Sequence, residues 1–248
     1  MHNLGHTRSS QQRDHMLTTP DTFVRIVLPG MKNAEAIVHV GPALGARFAE
    51  YTAEFAGGGE LGGTAAQRFL YVVEGGVTLE AAAGKSAIGT RGFAYVPQGM
   101  AHRVCAAQKS RVIVIEKAYA GSLGAAAPTL FVSSEDAVPS EALDGDSALQ
   151  VKHLLPDELA FDFAVNSMVY QPGAALSMVE MHVMEHGLMM LEGGGIYRLG
   201  DCWYPVTAGD FIWMGPWCAQ WFGAIGKVPA KYLIYKDWNR HPLETPQK

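Results

Sequence analysis

The sequence contains one pattern of residues twice, and this repeat limits the possible folds more than any other feature. Residues 69–76 (FLYVVEGG) are echoed by residues 188–195 (LMMLEGGG). Further along, residues 92–102 align with residues 209–220 if a one-residue insertion is allowed in the second stretch. A pattern that recurs after about half the chain is typical of duplication. The sequence therefore predicts two copies of one structural unit.

Within each copy, short apolar runs alternate with turn residues. Residues 94–96 and 211–214 are examples, and Gly, Pro or Asp separates such runs from their neighbours. Short strands with frequent turns indicate a sandwich or a small barrel, and helical periodicity is scarce. The 28 glycines and the 48% share of hydrophobic residues fit a turn-rich globular protein. We therefore expect an all-β fold.

A stretch rich in Ala, Ser, Pro, Asp and Glu, residues 121–150, separates the two copies. It predicts a connector with a boundary near residue 145, giving one domain over 1–144 and another over 145–248. Residues 139–143 and 156–159 could each form one helical turn. The polar opening segment, which holds His2, His6 and His15, is expected to be a disordered tail.

Charge and composition exclude several classes of function. The net charge is -5 and no Lys/Arg cluster occurs, which argues against a nucleic-acid partner. There is no run of about 18 apolar residues and no secretory h-region, so we expect a cytoplasmic protein without a membrane partner. Three cysteines (Cys105, Cys202 and Cys218) without CxxC spacing predict buried, reduced thiols.

Metal-binding side chains cluster in the second copy. Glu180, His182 and His186 stand at i, i+2 and i+6, a spacing that keeps all three on one face of a β-strand. Gln220, beyond a predicted turn, could add an amide oxygen. One carboxylate, two imidazoles and an amide suit a divalent first-row ion that accepts nitrogen and oxygen ligands. Glu185 has the wrong parity and is expected to be solvated or to lie behind the ligands.

The turn framework around these donors resembles the cupin superfamily. The first cupin motif falls on Gly173, Glu180, His182, His186 and Gly193, and the second on Gly209, Gly215, Trp217 and Gln220. The resemblance implies a bicupin, with two tandem jelly-roll-like β-barrels.

In the first copy, the same template places Gly62, Thr64 and Arg68 at the ligand positions, and only His102 keeps a coordinating group. A divalent ion would face the fixed charge of Arg68 with too few donors. We therefore expect the first barrel to be structural.

The order of ligands in the second copy resembles the (S)-ureidoglycine aminohydrolase family of bicupin enzymes. The resemblance extends to residues 154–163 (LLPDELAFDF), 172–174 (PGA), 180–187 (EMHVMEHG), 195–197 (GIY), 209–215 (GDFIWMG) and 232–237 (YLIYKD). It implies Mn²⁺, or another first-row divalent metal, on Glu180, His182, His186 and Gln220. It also implies a small-molecule substrate bound by Tyr197, Tyr232 and Lys236, with Lys236 and Glu180 in catalysis. The implied reaction releases ammonia from ureidoglycine in allantoin and purine catabolism.

Strand alternation places Tyr232, Ile234 and Lys236 on one face. An inward Lys236 could hold a substrate carboxylate or protonate the departing amine, and both roles are open at this point. Two other functions are also compatible with the pattern: a cupin dioxygenase and a binding or storage protein without turnover. Two barrels with apolar faces predict a homo-oligomer.

Overall fold

The computed structural model describes residues 5–121 and 125–238, and these form two compact units built almost entirely of strands. One unit consists of residues 24–138 with 158–161. The other consists of residues 5–23, 139–157 and 162–238. The expected all-β fold with two barrels is confirmed.

The strands of the described residues, in chain order, begin with β1 Ser10–Gln11, β2 His15–Thr18, β3 Arg25–Ile26, β4 Met31–Val40, β5 Ala49–Leu61, β6 Gln67–Glu74, β7 Gly76–Ala81, β8 Gly84–Gly89, β9 Gly92–Val96, β10 His102–Ala106, β11 Ser110–Lys117 and β12 Phe131–Ser134. They continue with β13 Glu141–Leu143, β14 Asp146–His153, β15 Phe163–Tyr170, β16 His186–Glu192, β17 Gly194–Leu199, β18 Cys202–Thr207, β19 Phe211–Met214, β20 Gln220–Ala224 and β21 Ala230–Asp237. Helical structure in the described residues is limited to short 3-10 turns at Pro20–Thr22, Pro42–Leu44 and Glu135–Ala137.

The two units share the order of their four central strands, as expected for a duplication. In the first unit the sheet runs β12-β9-β6-β11-β5-β10-β7-β8, and β4 pairs with β5. In the second unit the main sheet runs β1-β2-β19-β16-β21-β15-β14-β13, and a smaller sheet runs β18-β17-β20. The series β9-β6-β11-β5 thus corresponds to β19-β16-β21-β15. Each unit buries its own apolar core.

A glycine follows β6 in the first copy and β16 in the second, and the backbone requires it for the same reason in both. Gly75 and Gly193 have positive φ angles of 78° and 62°, which L-residues with side chains rarely adopt. A Cβ atom at Gly75 would also contact the carbonyl oxygen of Lys109, and one at Gly193 that of Pro229. The Glu-Gly pair of the repeat is therefore a backbone requirement of the tight turn.

The opening segment is not a disordered tail where the structure describes it. Strand β2 pairs with β19, with His15 opposite Met214, and Leu17 lies fully buried in the core of the second unit. His15 is buried, whereas His6 is exposed and His2 lies outside the described residues. The expectation failed because the two apolar residues Met16 and Leu17 are flanked by polar residues, so the segment carried no clear strand pattern.

The connector also differs from expectation. Residues 139–143 were expected to form a helical turn, but β13 and β14 form a hairpin there. Asp144 and Gly145 at its tip have positive φ angles of 51° and 79°, which suits a tight two-residue turn. Residues 156–159 contain no helix.

The three cysteines are free thiols, but only Cys218 is buried, and Cys105 and Cys202 are partly exposed. Burial raises the pKa of the Cys218 thiol to about 11. No helix in the described part of the chain has the length and apolar character needed to cross a membrane.

Candidate active site

The predicted ligands come together in the second unit, although not on the continuous strand that their spacing suggested. His186 begins β16, whereas residues 181–185 are irregular. Glu180 instead forms an isolated bridge with Gln220, in which each backbone N–H donates to the other residue's carbonyl oxygen at 2.9 Å. The carbonyl oxygen of His182 accepts from the N–H of Trp217 at 2.7 Å. These backbone contacts with the turn and β20 replace the predicted strand.

The side-chain donors converge on one atom, the Nε2 of His182. The amide nitrogen of Gln220 lies 2.9 Å from it, Nε2 of His186 lies 3.4 Å away, and Oε2 of Glu180 lies 3.8 Å away. His186 and Gln220 are almost fully buried. The structure therefore gathers two imidazoles, a carboxylate and an amide into one small volume.

The protonation of these groups favours binding of a cation. Nδ1 of His186 lies 3.2 Å from the backbone carbonyl oxygen of Tyr235 and donates to it, so Nε2 presents a lone pair to the cluster. Burial lowers the pKa of His186 well below its usual value, and Lys236 and His182 lower it further. The neighbouring His182 imidazole holds the pKa of the Glu180 carboxyl below its usual value against the effect of burial. An anionic carboxylate beside a neutral imidazole is a donor set for a divalent ion.

Lys236 lies beside this cluster. On β21 it pairs directly with His186 on β16. Burial lowers the pKa of the Lys236 ammonium, and the charge of Glu180 opposes that shift. Both effects were expected from the sequence. Ile234 and Tyr232, which share its strand face, belong to the core of this unit.

The predicted substrate tyrosines also lie inside this barrel. The hydroxyl of Tyr232 is 2.6 Å from that of Tyr170, and Tyr197 packs its ring against Phe222 at a centroid distance of 5.4 Å. Burial raises the pKa of Tyr197 and Tyr232 well above the usual value. Both phenols therefore stay protonated and can donate hydrogen bonds.

Sequence reasoning missed two polar residues of the barrel interior, Tyr170 and Asn166. Both lie on β15, in the same alternating row as Met168 of the core. Asn166 is buried, pairs with Ile234 across the sheet, and its Oδ1 accepts no hydrogen bond from the described residues. The alternation of side chains along the predicted strand that ends at Tyr170 was the sequence signal that could have placed both residues inside the barrel.

Glu185 is not solvated. Its side chain is buried and accepts a hydrogen bond from the indole nitrogen of Trp213 at 3.3 Å. Of the two alternatives stated for this residue, solvent exposure is wrong.

In the first unit, a guanidinium lies at the corresponding position. Arg68 donates through Nη1 to the carbonyl oxygen of Gly62 and to Nε2 of His102, each at 2.8 Å. Its Nε and Nη2 reach Oε1 of Glu116 at 2.9 and 2.7 Å. The hydroxyl of Thr64 accepts from the backbone N–H of Ala66 at 3.3 Å. The fixed charge of Arg68 is thus neutralised inside this barrel.

Two barrels of this topology, one with a converging donor set, define a protein of the bicupin class, and residues 166–235 match the family model of the cupin domain.

The chain is 40% identical over 243 residues to the (S)-ureidoglycine aminohydrolase of Arabidopsis thaliana, and this alignment covers 96% of this chain and 80% of the relative. It is 38% identical over 242 residues to a probable (S)-ureidoglycine aminohydrolase of Oryza sativa subsp. japonica, with 96% and 78% covered. The crystal structure of protein Ylba from E. coli superposes with a TM-score of 0.84 at 30% identity, covering 96% of this chain and 97% of that one. The chain belongs to the (S)-ureidoglycine aminohydrolase family and is an enzyme of the hydrolase class.

Proposed function

We propose that this chain hydrolyses (S)-ureidoglycine to (S)-ureidoglycolate and ammonia, as a step of allantoin and purine catabolism. In this proposal a manganese ion is held by Glu180, His182, His186 and Gln220. The observation that carries it is the convergence of Glu180, His186 and Gln220 on Nε2 of His182 within 3.8 Å. The names of the relatives support the substrate.

The donor set fits manganese. Two lone-pair-bearing groups, His186 Nε2 and the Glu180 carboxylate, face His182 Nε2, and a cation would stabilise this concentration of lone pairs. A half-turn of the Gln220 amide brings its oxygen to the position of its nitrogen, and this hard oxygen favours manganese. A manganese ion held by these four residues would orient the substrate and, secondarily, polarise it as a Lewis acid.

The residues around the donor set would bind and orient the substrate. The protonated phenols of Tyr197 and Tyr232 can donate to carbonyl or carboxylate oxygens of a small polar molecule. The apolar residues of the core around them limit the access of water. A substrate held in this way has one orientation at its chiral carbon.

Lys236 supplies the proton for the departing amine in this proposal. The bond between the α-carbon and the amine nitrogen breaks, and the nitrogen leaves as ammonia with a proton from Lys236. A water molecule adds its oxygen to the α-carbon and returns one proton to the lysine, so that the overall change is hydrolysis. The lowered pKa of Lys236 favours proton transfer over a purely electrostatic role.

The test is ammonia release from freshly prepared (S)-ureidoglycine by the purified full-length chain. Chelation should abolish ammonia release, and added Mn²⁺ should restore it. Glu180→Ala and His186→Ala should lower both manganese content and turnover, by on the order of 100-fold or more because loss of a ligand costs more than loss of a supporting residue. His153→Ala changes an exposed histidine of the same unit and should behave like the wild type.

Three results would contradict the proposal. Oxygen uptake in place of ammonia release would indicate a dioxygenase. Unchanged metal content and unchanged ammonia production in both ligand variants would remove the site from catalysis, and an absence of any turnover would leave a binding protein. The homo-oligomeric state remains a prediction, which the mass of the purified particle tests.

A further inference from the structure

A second group of metal-binding side chains lies in the same unit, outside the proposed catalytic site. Asp14, His15 and Cys218 each place one ligand atom within 4.8 Å of the other two. We propose that these three residues bind a zinc-type divalent ion that fastens the N-terminal strands to the barrel.

His15 is oriented as a metal ligand would be. Its Nδ1 lies 2.9 Å from Oδ1 of Asp14, and its Nε2 lies 2.9 Å from the hydroxyl of Tyr204. In metal sites the second ring nitrogen of a ligating histidine usually has such a partner, which fixes the ring and the tautomer. The Asp14 carboxylate can only accept, so Nδ1 donates to it in this structure. An ion between Asp14 and His15 would replace that proton, and Nε2 would then donate to the Tyr204 hydroxyl.

The three ligand atoms are close enough for a small adjustment to complete the site. With zinc bonds of about 2.0 to 2.3 Å, ligand atoms in a tetrahedral site lie about 3.3 to 3.6 Å apart. His15 and Cys218 are 2% and 4% exposed, so packing holds two ligands in place. The side chain of Asp14 is 49% exposed and can rotate toward an ion. Its solvent side gives room for a water molecule as the fourth ligand.

The chemistry of this donor set differs from that of the proposed catalytic site. A thiolate is a soft ligand that selects zinc over manganese, whereas the catalytic set has only nitrogen and oxygen donors. The arrangement does not fit a cysteine nucleophile. The thiol is buried, and the imidazole nitrogen that is not beside Asp14 contacts Tyr204 instead of sulfur.

The position in the fold indicates what the ion would do. His15 begins β2 and pairs with Met214 of β19, and the carbonyl oxygen of Asp14 accepts from the N–H of Gly215 at 2.8 Å. Cys218 lies in the turn that follows β19. A metal bond from Asp14 and His15 to Cys218 would thus connect positions about 200 residues apart in the chain and strengthen the pairing of β2 with the barrel.

Cobalt substitution tests the proposal on the full-length protein. After removal of bound metal, the wild type loaded with Co²⁺ should show a sulfur-to-cobalt charge-transfer band in the near ultraviolet. Cys218→Ser should lose this band, and Cys105→Ser, which changes a thiol of the other unit, should keep it. Glu180→Ala should also keep it, because the catalytic donor set contains no sulfur. Failure of one site is thereby distinguished from failure of the other.

Zinc binding and unfolding provide the second measurement. In Glu180→Ala, which disables the proposed catalytic donor set, Zn²⁺ should raise the unfolding midpoint, and the added Cys218→Ser substitution should abolish this rise. Asp14→Asn alters a half-exposed side chain, keeps the fold, and should weaken zinc binding about tenfold or more, as loss of a ligand or its support does. No charge-transfer band in the wild type, a band that persists in Cys218→Ser, or unchanged zinc affinity in Asp14→Asn would each overturn the proposal.

Discussion

The imidazole of His186 shows how a single backbone contact can prepare a side chain for its proposed role as a metal ligand. Its Nδ1 donates to the carbonyl oxygen of Tyr235, and burial keeps the ring neutral by lowering its pKa. The lone pair on Nε2 is thereby presented to His182 and to the rest of the donor set. Lys236, on the strand opposite, has its own pKa lowered by burial. Both residues depend on the low-polarity barrel interior for their chemistry.

Replacement of Lys236 tests its role in proton transfer. Lys236→Met should lower the rate of ammonia release by about 10² to 10⁴, the usual contribution of a general acid. Its manganese content should stay at the wild-type level because an ammonium is not a ligand. Lys227→Met, an exposed lysine of the same unit, serves as the control. Full turnover in Lys236→Met would show that the proton comes from another group.

Glu50 makes the stability of the protein depend on pH. It is almost completely buried, and burial raises its pKa to about 8. Below about pH 4.5 the carboxyl is protonated in both the folded and the unfolded state. Between that pH and about 8 only the unfolded state releases the proton, so the folded state loses stability as the pH rises, by a total on the order of 5 kcal/mol.

Urea unfolding at pH 5, 6.5 and 8 measures this effect. The wild type should lose stability across the series, whereas Glu50→Gln, which stays neutral, should lose little. Glu35→Gln alters an exposed carboxylate and should follow the wild type. A parallel pH dependence of the wild type and Glu50→Gln would assign the effect to other groups.

At the scale of elements, β2 contributes to the barrel that follows it much later in the chain. It adds a strand beside β19, and Leu17 enters the core of the second unit. The segment also carries Arg8, whose guanidinium makes two hydrogen bonds to the buried carboxylate of Asp210, at 2.6 and 2.7 Å. Residues 8–18 are therefore an integral part of the second unit.

Truncation of Leu17 measures the contribution of this strand. Leu17→Ala should lower the free energy of unfolding by about 2 to 5 kcal/mol, because it removes buried methyl groups and leaves a cavity. Leu159→Ala, at a position that is 65% exposed, should change it by less than about 0.5 kcal/mol. Denaturant unfolding gives both values. Equal effects of the two substitutions would show that β2 adds nothing to the stability of the unit.

At the scale of the whole molecule, the two copies keep one topology and differ at the site. The second copy has a metal-type donor set, whereas the first has Arg68 at the corresponding position, neutralised by Glu116 and hydrogen-bonded to His102. The hydroxyl of Tyr51 also donates to Glu116, at 2.7 Å. The Arg68 guanidinium thus supplies hydrogen bonds to Glu116, to His102 and to the carbonyl oxygen of Gly62 in the first unit.

Removal of this cation should destabilise the first unit without changing metal binding. Arg68→Met leaves Glu116, His102 and the carbonyl oxygen of Gly62 without their donor, at a cost of about 3 to 5 kcal/mol. Arg103→Met removes an exposed arginine paired with Glu80 on the surface and should leave the stability nearly unchanged, because water screens such a pair. Unfolding and manganese content are measured together. A loss of manganese in Arg68→Met at full stability would contradict this division between the copies.

The residues of the repeat predicted the fold well. They predicted less completely how the side chains of the candidate site are brought together. Alternating apolar runs and turn glycines are local signals, so the all-β fold followed directly from them, whereas the two barrels followed from the resemblance to cupins. The spacing of Glu180, His182 and His186 predicted one continuous strand, which is wrong. Their convergence depends on the bridge from Glu180 to Gln220, a contact between residues 40 positions apart. Spacing along the chain carries no information about such a partner.

The sequence by itself determined the duplication, the strand-and-turn pattern and the identity of the residues that can bind a metal, because each of these is a property of neighbouring residues. Only the tertiary structure decided that residues 10–18 join the second unit, that Asn166 and Tyr170 line its interior, and that Asp14, His15 and Cys218 lie together. These arrangements depend on pairing and burial between distant parts of the chain. Such contacts form only when the sheets close and exclude water from the core.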